Sequence, residues 1–218
     1  MYLSRLVLNL RDREVQHDLA DCQSMHQRIM GAFPTVEGEG ARADLGVLYR
    51  ADTDSRNGGV TLLVQSLVEP DWSKLPEHYL LGTPAHKSVT DHYGRIAAGS
   101  VLRFRLLANP TRRIDTKSGP NGEKRNGRRV ELTREEDQLA WFDRKAVDAG
   151  FRSLELRVVG KGPALDVTGR HPAGKVVLKG VVYEGRLVVK DQERFLHALE
   201  HGVGPGKAYG FGLLSVAP

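Results

Sequence analysis

The segment that most restricts this chain is its last, residues 201–218, which reads His-Gly-Val-Gly-Pro-Gly-Lys-Ala-Tyr-Gly-Phe-Gly-Leu-Leu-Ser-Val-Ala-Pro. Gly202, Gly204, Gly206, Gly210 and Gly212 surround a single cation, Lys207. Such a run cannot continue a helix, but it can turn sharply and bring its own N–H groups against an anion. It matches no nucleotide loop. A P-loop needs a glycine five residues before its Gly-Lys pair and a Ser or Thr after it, and here those places hold His201 and Ala208. A dinucleotide fingerprint follows a strand and opens a helix, whereas this loop follows a helical pattern and leads into the strand-like Leu213–Val216. A plain helix cap and turn would account for Gly202 but not for the four glycines beyond it.

The rest of the chain reads as two rounds of strands and helices. In the first, residues 2–9 form a strand. A helix capped by Asp18 or Asp21 then buries Cys22, Met25, Ile29 and Phe33 and stops at Pro34. Strands near Leu45–Arg50 and Val60–Leu67 flank a turn at Asn57-Gly58. A short helix starts near Asp71, and Ser88–Tyr93 supplies a fourth strand.

In the second round, Val101–Ala108 alternates as a strand and residues 109–129 form a basic loop. Thr133 and Glu136 make a capping box before a helix with Leu139, Phe142 and Ala146 on one face, closed by Gly150. Strands follow at Leu154–Val158, at Val176–Tyr183 and, after a turn at Glu184-Gly185, at Leu187–Val189. Asp191 caps a last helix with Phe195, Leu196 and Leu199 inward, ending at Gly202. Each half therefore approximates β-α-β-β-α-β. This predicts an α+β fold of two tandem ferredoxin-like (RRM-like) domains, residues 1–96 and 97–218. That order is shared by proteins of many activities and decides no function.

Charge is the next guide. Lys and Arg total 32 against 27 Asp and Glu, and the excess is concentrated. Between residues 109 and 129, Arg112, Arg113, Lys117, Lys124, Arg125, Arg128 and Arg129 face only Asp115 and Glu123. Such a loop cannot build a core but can follow a phosphate backbone, and guanidinium forks suit phosphates and guanine edges. Arg170 and Lys175 mark a second basic loop. The single cysteine, Cys22, excludes an internal disulfide and a cysteine-based zinc site, and the eight histidines show no ligand spacing. The N-terminus lacks the marks of a signal peptide, so the expected location is the cytoplasm. His26 lies on the first helix beside the apolar stripe, where a histidine is ordinarily a partly buried structural residue.

Several stretches together carry a resemblance. They are the opening Met-Tyr-Leu-Ser-Arg-Leu-Val-Leu, the placing of Met25-His26, Leu-Val-Gln-Ser near residue 65, and Glu-Pro-Asp-Trp-Ser at 69–73. Arg103-Phe-Arg-Leu-Leu-Ala-Asn-Pro110 and the closing glycine-rich segment complete the set. The whole chain resembles the CasE-type endoribonucleases that process CRISPR RNA in type I-E systems, within the repeat-associated superfamily with a C-terminal glycine-rich loop.

That resemblance implies two ferredoxin-like domains that bind the stem-loop of each repeat in precursor CRISPR RNA. It implies one metal-independent, cofactor-free cut at the 3′ base of the stem, leaving a 5′-hydroxyl and a cyclic phosphate. The product is then retained in the surveillance complex with its other subunits. A stem-loop-binding subunit with weak or lost cleavage is the alternative.

The family's catalytic histidine maps onto His26, and Lys207 and Arg28 are the expected cationic partners. The expected RNA contacts are Arg103, Arg105, Arg112, Arg113, Lys124, Arg125, Arg128, Arg129, Arg170, Lys175, Gly204, Gly206 and Lys207. The chain departs from the family pattern at two places. A tyrosine common three residues before the histidine is Gln23 here, and a lysine sometimes found five residues after it is Gly31. Tyr2, Tyr209 or an arginine stands in, or His26 acts with less help.

Overall fold

The computed structural model describes residues 1–36, 38, 40–114, 128–162, 165–171 and 174–218, with Arg128 and His171 described in the backbone alone. The first unit begins with β1 (Tyr2–Val7), α1 (Arg13–Ala20), α2 (Cys22–Met30) and the short α3 (Ala41–Asp44). It continues with β2 (Leu48–Thr53), β3 (Val60–Ser66), a 3-10 turn at Trp72–Lys74, β4 (Ala85–Ser88) and α4 (Thr90–Gly94). Its sheet runs β2-β3-β1-β4, and every neighbouring pair is antiparallel.

The second unit holds β5 (Val101–Ala108), β6 (Thr111–Ile114), β7 (Arg128–Glu131), α5 (Glu135–Asp148) and β8 (Phe151–Lys161). β9 (Val167–His171), β10 (Gly174–Leu178), β11 (Val181–Val189), α6 (Gln192–His201) and β12 (Leu214–Ala217) complete it. Its main sheet runs β12-β5-β11-β8, again antiparallel throughout. In both sheets the first strand of the unit lies between the third and fourth, the order in which two βαβ units interleave. The architecture is α+β and consistent with ferredoxin-like domains. The second unit has both crossover helices, while in the first only the 3-10 turn stands between β3 and β4.

Alternation explains the second core. On β5, Leu102, Phe104 and Leu106 point under α5 and α6, where Trp141, Phe142, Phe195 and Leu199 meet them. Leu107 points the other way, yet is buried. It forms a smaller cluster with Val182 and Phe211 under the β9–β10 hairpin. That hairpin, expected as a loop, folds over the open face of the sheet and packs on α2. Gly169 sits so close to the start of α2 that a Cβ there would come within 2.7 Å of the Cys22 sulfur.

Four further expectations change. The helix capped by Asp21 forms as expected, as α2, but a further helix, α1, precedes it, capped by Asp12 and ended by the same Asp21. The capping box does not form. Helix α5 starts one residue late, with Arg134 at the cap and Glu135, Glu136 and Asp137 in a first turn that favours negative charge. Glu184-Gly185 is no turn, since β11 continues through it with two irregularities in register. A Cβ at Gly185 would run into the Glu155 carbonyl, so glycine permits close strand approach. Finally, residues 88–93 do not form the fourth strand. β4 ends at Ser88, and Val89, Tyr93 and Ile96 follow with helical spacing into the second core.

Candidate active site

Helix α2 places His26. Asp21 accepts from the Gln23 and Ser24 amides at 2.8 and 3.3 Å, satisfying donors that the first turn leaves free. Cys22, Met25 and Ile29 then face the core, which leaves His26 half-buried at the edge of that stripe. Burial, and next the Arg42 guanidinium, hold the imidazole below its ordinary value. His26 is therefore neutral at neutral pH and ready to accept a proton.

The glycine-rich loop closes over this helix. All five of its glycines have positive φ, between 76 and 88°. Gly206 and Gly210, both left-handed, bracket the single 3-10 turn Lys207–Tyr209 and reverse the chain on either side of it. The turn is fixed from the first unit. The Tyr49 hydroxyl donates to the Ala208 carbonyl at 3.2 Å, and the buried Arg50 donates to Ser215 Oγ at 2.9 Å while pairing with Asp52.

The turn brings in two side chains. The ring of Tyr209 meets His26 edge-on, with centroids 6.3 Å apart, and its hydroxyl donates to Gln23 Oε1 at 3.2 Å. Lys207 is half-buried, and burial followed by Arg42 and Lys145 lowers its ammonium from the ordinary lysine value. Arg42, on α3, donates to the Val47 carbonyl at 2.9 Å and acts electrostatically on both His26 and Lys207. Nothing in the sequence marked Arg42, which lies 16 positions beyond His26 on an unpatterned link.

Lys207 also lines a cleft of about 530 Å3 between the glycine-rich loop, α5, α6 and the β6–β7 hairpin. Arg113, Arg129, Arg144, Lys145, Arg194 and His197 line it as well. Arg113 and Arg129 are directly opposite one another across the hairpin, a like-charge pairing that an anion would relieve. The basic segment 109–129 is thus partly this hairpin. Lys117, Lys124, Arg125 and the side chain of Arg128 lie outside the described residues. Arg144, Lys145 and Arg194 escaped the sequence reading because they alternate with acids on amphipathic helices, where cations ordinarily face solvent.

Other expected residues stand apart. Arg28 is two positions from His26 and so on another side of α2. Its guanidinium pairs with Asp18 at 2.7 Å and Glu14 at 2.6 Å, and lies over the Tyr79 ring. Arg105 is held by Glu184 at 2.6 Å, and Arg103 donates to the Pro218 carbonyl. Both are exposed residues on the face of the sheet away from α5 and α6. Arg170 and Lys175 are opposite one another on β9 and β10, and line a second cleft with Asp21 beside the start of α2. Arg112 is exposed on β6. Tyr2 is on β1, paired with Ser66 and Ser88. Among the described residues, no three His, Cys, Asp or Glu side chains gather as metal ligands.

Comparison with known proteins places the chain. The family described as CRISPR associated protein matches residues 1–218. The CRISPR-associated endoribonuclease Cse3 of Thermus thermophilus is 36% identical, with all of both chains covered. The CRISPR system Cascade subunit CasE of Escherichia coli is 28% identical over the full length of both. Among solved structures, Cse3 bound to a 19-nucleotide RNA superposes with a TM-score of 0.80 at 34% identity over all of both chains. Thermus thermophilus Cse3 bound to an RNA representing a pre-cleavage complex gives 0.78 at 34% identity, covering 100% of this chain and 98% of that one. The chain belongs to the CRISPR-associated protein family, and within it to the CasE and Cse3 type.

Proposed function

We propose that this protein is a metal-independent endoribonuclease that binds the stem-loop of CRISPR repeats in precursor RNA and cuts once at the 3′ base of the stem. It then keeps the product as a subunit of the surveillance complex. The observation that carries this reading is the position of Lys207. One turn of the glycine-rich loop serves both the basic cleft and the His26 site, so a phosphate chain held in the cleft leads to the imidazole. The named relatives support the same activity: a Cse3 endoribonuclease is solved with RNA, and a CasE chain is a Cascade subunit. No helix among the described residues is long and apolar enough to cross a membrane.

In the proposed reaction, the 2′-hydroxyl next to the scissile phosphate gives its proton to neutral His26 as O2′ bonds to phosphorus. The P–O5′ bond breaks, and the departing oxygen takes a proton from solvent. The products carry a 2′,3′-cyclic phosphate and a 5′-hydroxyl. Lys207 and Arg42, both half-buried, offset the charge that grows on the phosphate. The backbone of Gly204 and Gly206 contacts the RNA, while their lack of a side chain makes room for Trp141 and Phe211 behind the loop. Arg113, Arg129, Arg144, Lys145 and Arg194 hold the stem through its phosphates, while Arg170 and Lys175 meet RNA beyond the cut. Arg28, committed to Asp18 and Glu14, braces α2 against α1. The reading divides the chain into an N-terminal unit, 1–96, carrying the histidine, and a C-terminal unit, 97–218, carrying the basic cleft and the loop.

The test is a synthetic RNA hairpin of the host's own CRISPR repeat, incubated in EDTA with wild type and with His26→Ala. Wild type should cut once, and His26→Ala should bind equally well and leave the RNA intact. Equal cutting by both removes His26 from the reaction. Loss of wild-type cutting in EDTA makes the enzyme metal-dependent. Tight binding with no cutting by wild type leaves the binding-subunit alternative.

A further inference from the structure

We propose that Tyr209 is a catalytic residue whose hydroxyl donates a hydrogen bond to a non-bridging oxygen of the scissile phosphate, and that Gln23 is the positioning residue that holds this hydroxyl beside His26. The inference rests on the endoribonuclease reading above and adds a named donor to it.

Three observations carry it. First, Gln23 and His26 are one turn apart on α2, so their side chains share a face, and Tyr209 reaches both. Its hydroxyl is 3.2 Å from Gln23 Oε1, and its ring meets the imidazole edge-on at 6.3 Å. Second, the placement is expensive in backbone terms. Tyr209 is carried by a turn between two left-handed glycines, and the Tyr49 hydroxyl pins the residue just before it. A tyrosine needed only for packing could be supplied by an ordinary strand. Third, the hydroxyl is not locked in a buried network. It donates to a neutral, half-buried amide oxygen, which a phosphate oxygen can displace, since a bond to an anion is stronger than one to a neutral carbonyl. Burial, then Cys22 and Asp21, hold the phenol above its ordinary value, so it keeps its proton and acts as a donor.

The roles around the phosphate then differ by chemistry. His26 accepts the 2′-hydroxyl proton, and Lys207 and Arg42 supply charge. Tyr209 supplies a directed neutral donor with no proton transferred through it. Because Lys207 and Tyr209 belong to one turn, both arrive together when the loop is seated.

The experiment measures single-turnover cutting of the repeat hairpin by wild type, Tyr209→Phe and Gln23→Ala. It also measures binding of the same RNA with a 2′-deoxy nucleotide at the cut, and cutting of RNA with sulfur replacing either non-bridging oxygen. Tyr209→Phe should cut about a hundredfold more slowly, the usual loss for one oxyanion donor, with RNA affinity within about twofold of wild type. Gln23→Ala should fall between the two. One sulfur isomer should slow wild type more than it slows Tyr209→Phe, a difference that a packing role does not produce. Equal cutting by wild type and Tyr209→Phe overturns the proposal. A parallel loss of affinity, or identical sulfur effects, also overturns it. A wild type that cuts nothing overturns the endoribonuclease reading itself, which the wild-type reaction reports without either variant.

Discussion

The Tyr49 hydroxyl, on β2 of the first unit, donates to the carbonyl of Ala208 at the centre of the Lys207–Tyr209 turn of the second. Beside it, a Cβ on Gly210 would lie 3.1 Å from the Tyr49 ring, and Gly210 has φ of 88°. Gly210→Ala should therefore destabilise the protein by about 2 kcal/mol through strain and crowding together. Gly58→Ala is the matched control, with φ of 70° and nothing within 4 Å of the new methyl. It should cost only about 1 kcal/mol. Urea unfolding midpoints compare the two, and equal losses would mean that the Tyr49 contact does not constrain the turn.

With His26 as the proposed proton acceptor, the pH dependence of cutting is set by its imidazole. Its imidazole is held below its ordinary value, so the neutral form persists under mildly acid conditions. The rate should fall only when the pH drops through that lowered value. Arg42 repels the imidazolium, so Arg42→Gln should raise the histidine's value and move the acid limb of the profile to higher pH. A single-turnover rate series against pH checks this. An unmoved limb would leave burial as the sole cause.

On the proposed reading the Arg28 pair is structural. Asp18 is 2% exposed and shares its carboxylate between Arg28 and the Tyr79 hydroxyl. Arg28→Ala leaves that buried carboxylate with the Tyr79 hydroxyl but without its cation, and should lower stability by about 3 kcal/mol. At a temperature where the variant is folded, its cutting rate should stay within about threefold of wild type. A much larger loss of rate without loss of stability would return Arg28 to the reaction.

Salt dependence separates the two faces of the second unit. Arg129 lines the cleft beside Lys207, whereas Arg103 is on the opposite face with its guanidinium on Pro218. Arg129→Ala should reduce the slope of log affinity against log salt by about 0.7 to 0.9, the loss of one phosphate contact. Arg103→Ala should leave it unchanged. The reverse result would move the RNA to the other face.

Cys22 should behave as an inert core residue. Burial, then the Asp21 charge, pushes its thiol up to about 11, and the side chain is 6% exposed. A thiol reagent at neutral pH should label it only after denaturation. Rapid labelling of the native protein would mean that the hairpin β9–β10 leaves α2 readily.

Much of the fold was legible because it rests on local rules. The stripe of Cys22, Met25 and Ile29, the cap at Asp191 and the alternation along Val101–Ala108 each state their element in the residues themselves. The errors fell where a distant partner overrides local preference. Glu184-Gly185 resembles a turn until Glu155 on β8 comes close enough to need the glycine. The segment after Lys161 resembles a loop until α2 provides a surface for its hairpin. Thr133 and Glu136 have the spacing of a capping box, which speaks to what those side chains can reach but not to where the chain enters the helix.

By itself, the sequence determined the α+β element order, the position of His26 at the edge of a buried stripe, and a closing loop that only glycine can follow. These depend on periodicity and on backbone freedom, both properties of short segments. Tertiary structure alone decided which side chains meet that histidine. Arg42 and Tyr209 reach it from two separate stretches, with Lys207 on the same turn as Tyr209, and Arg28, its near neighbour in sequence, is turned toward Asp18. The reason is the angular step of the helix together with loop closure over long separations. Neither is written in the spacing of the residues that end up side by side.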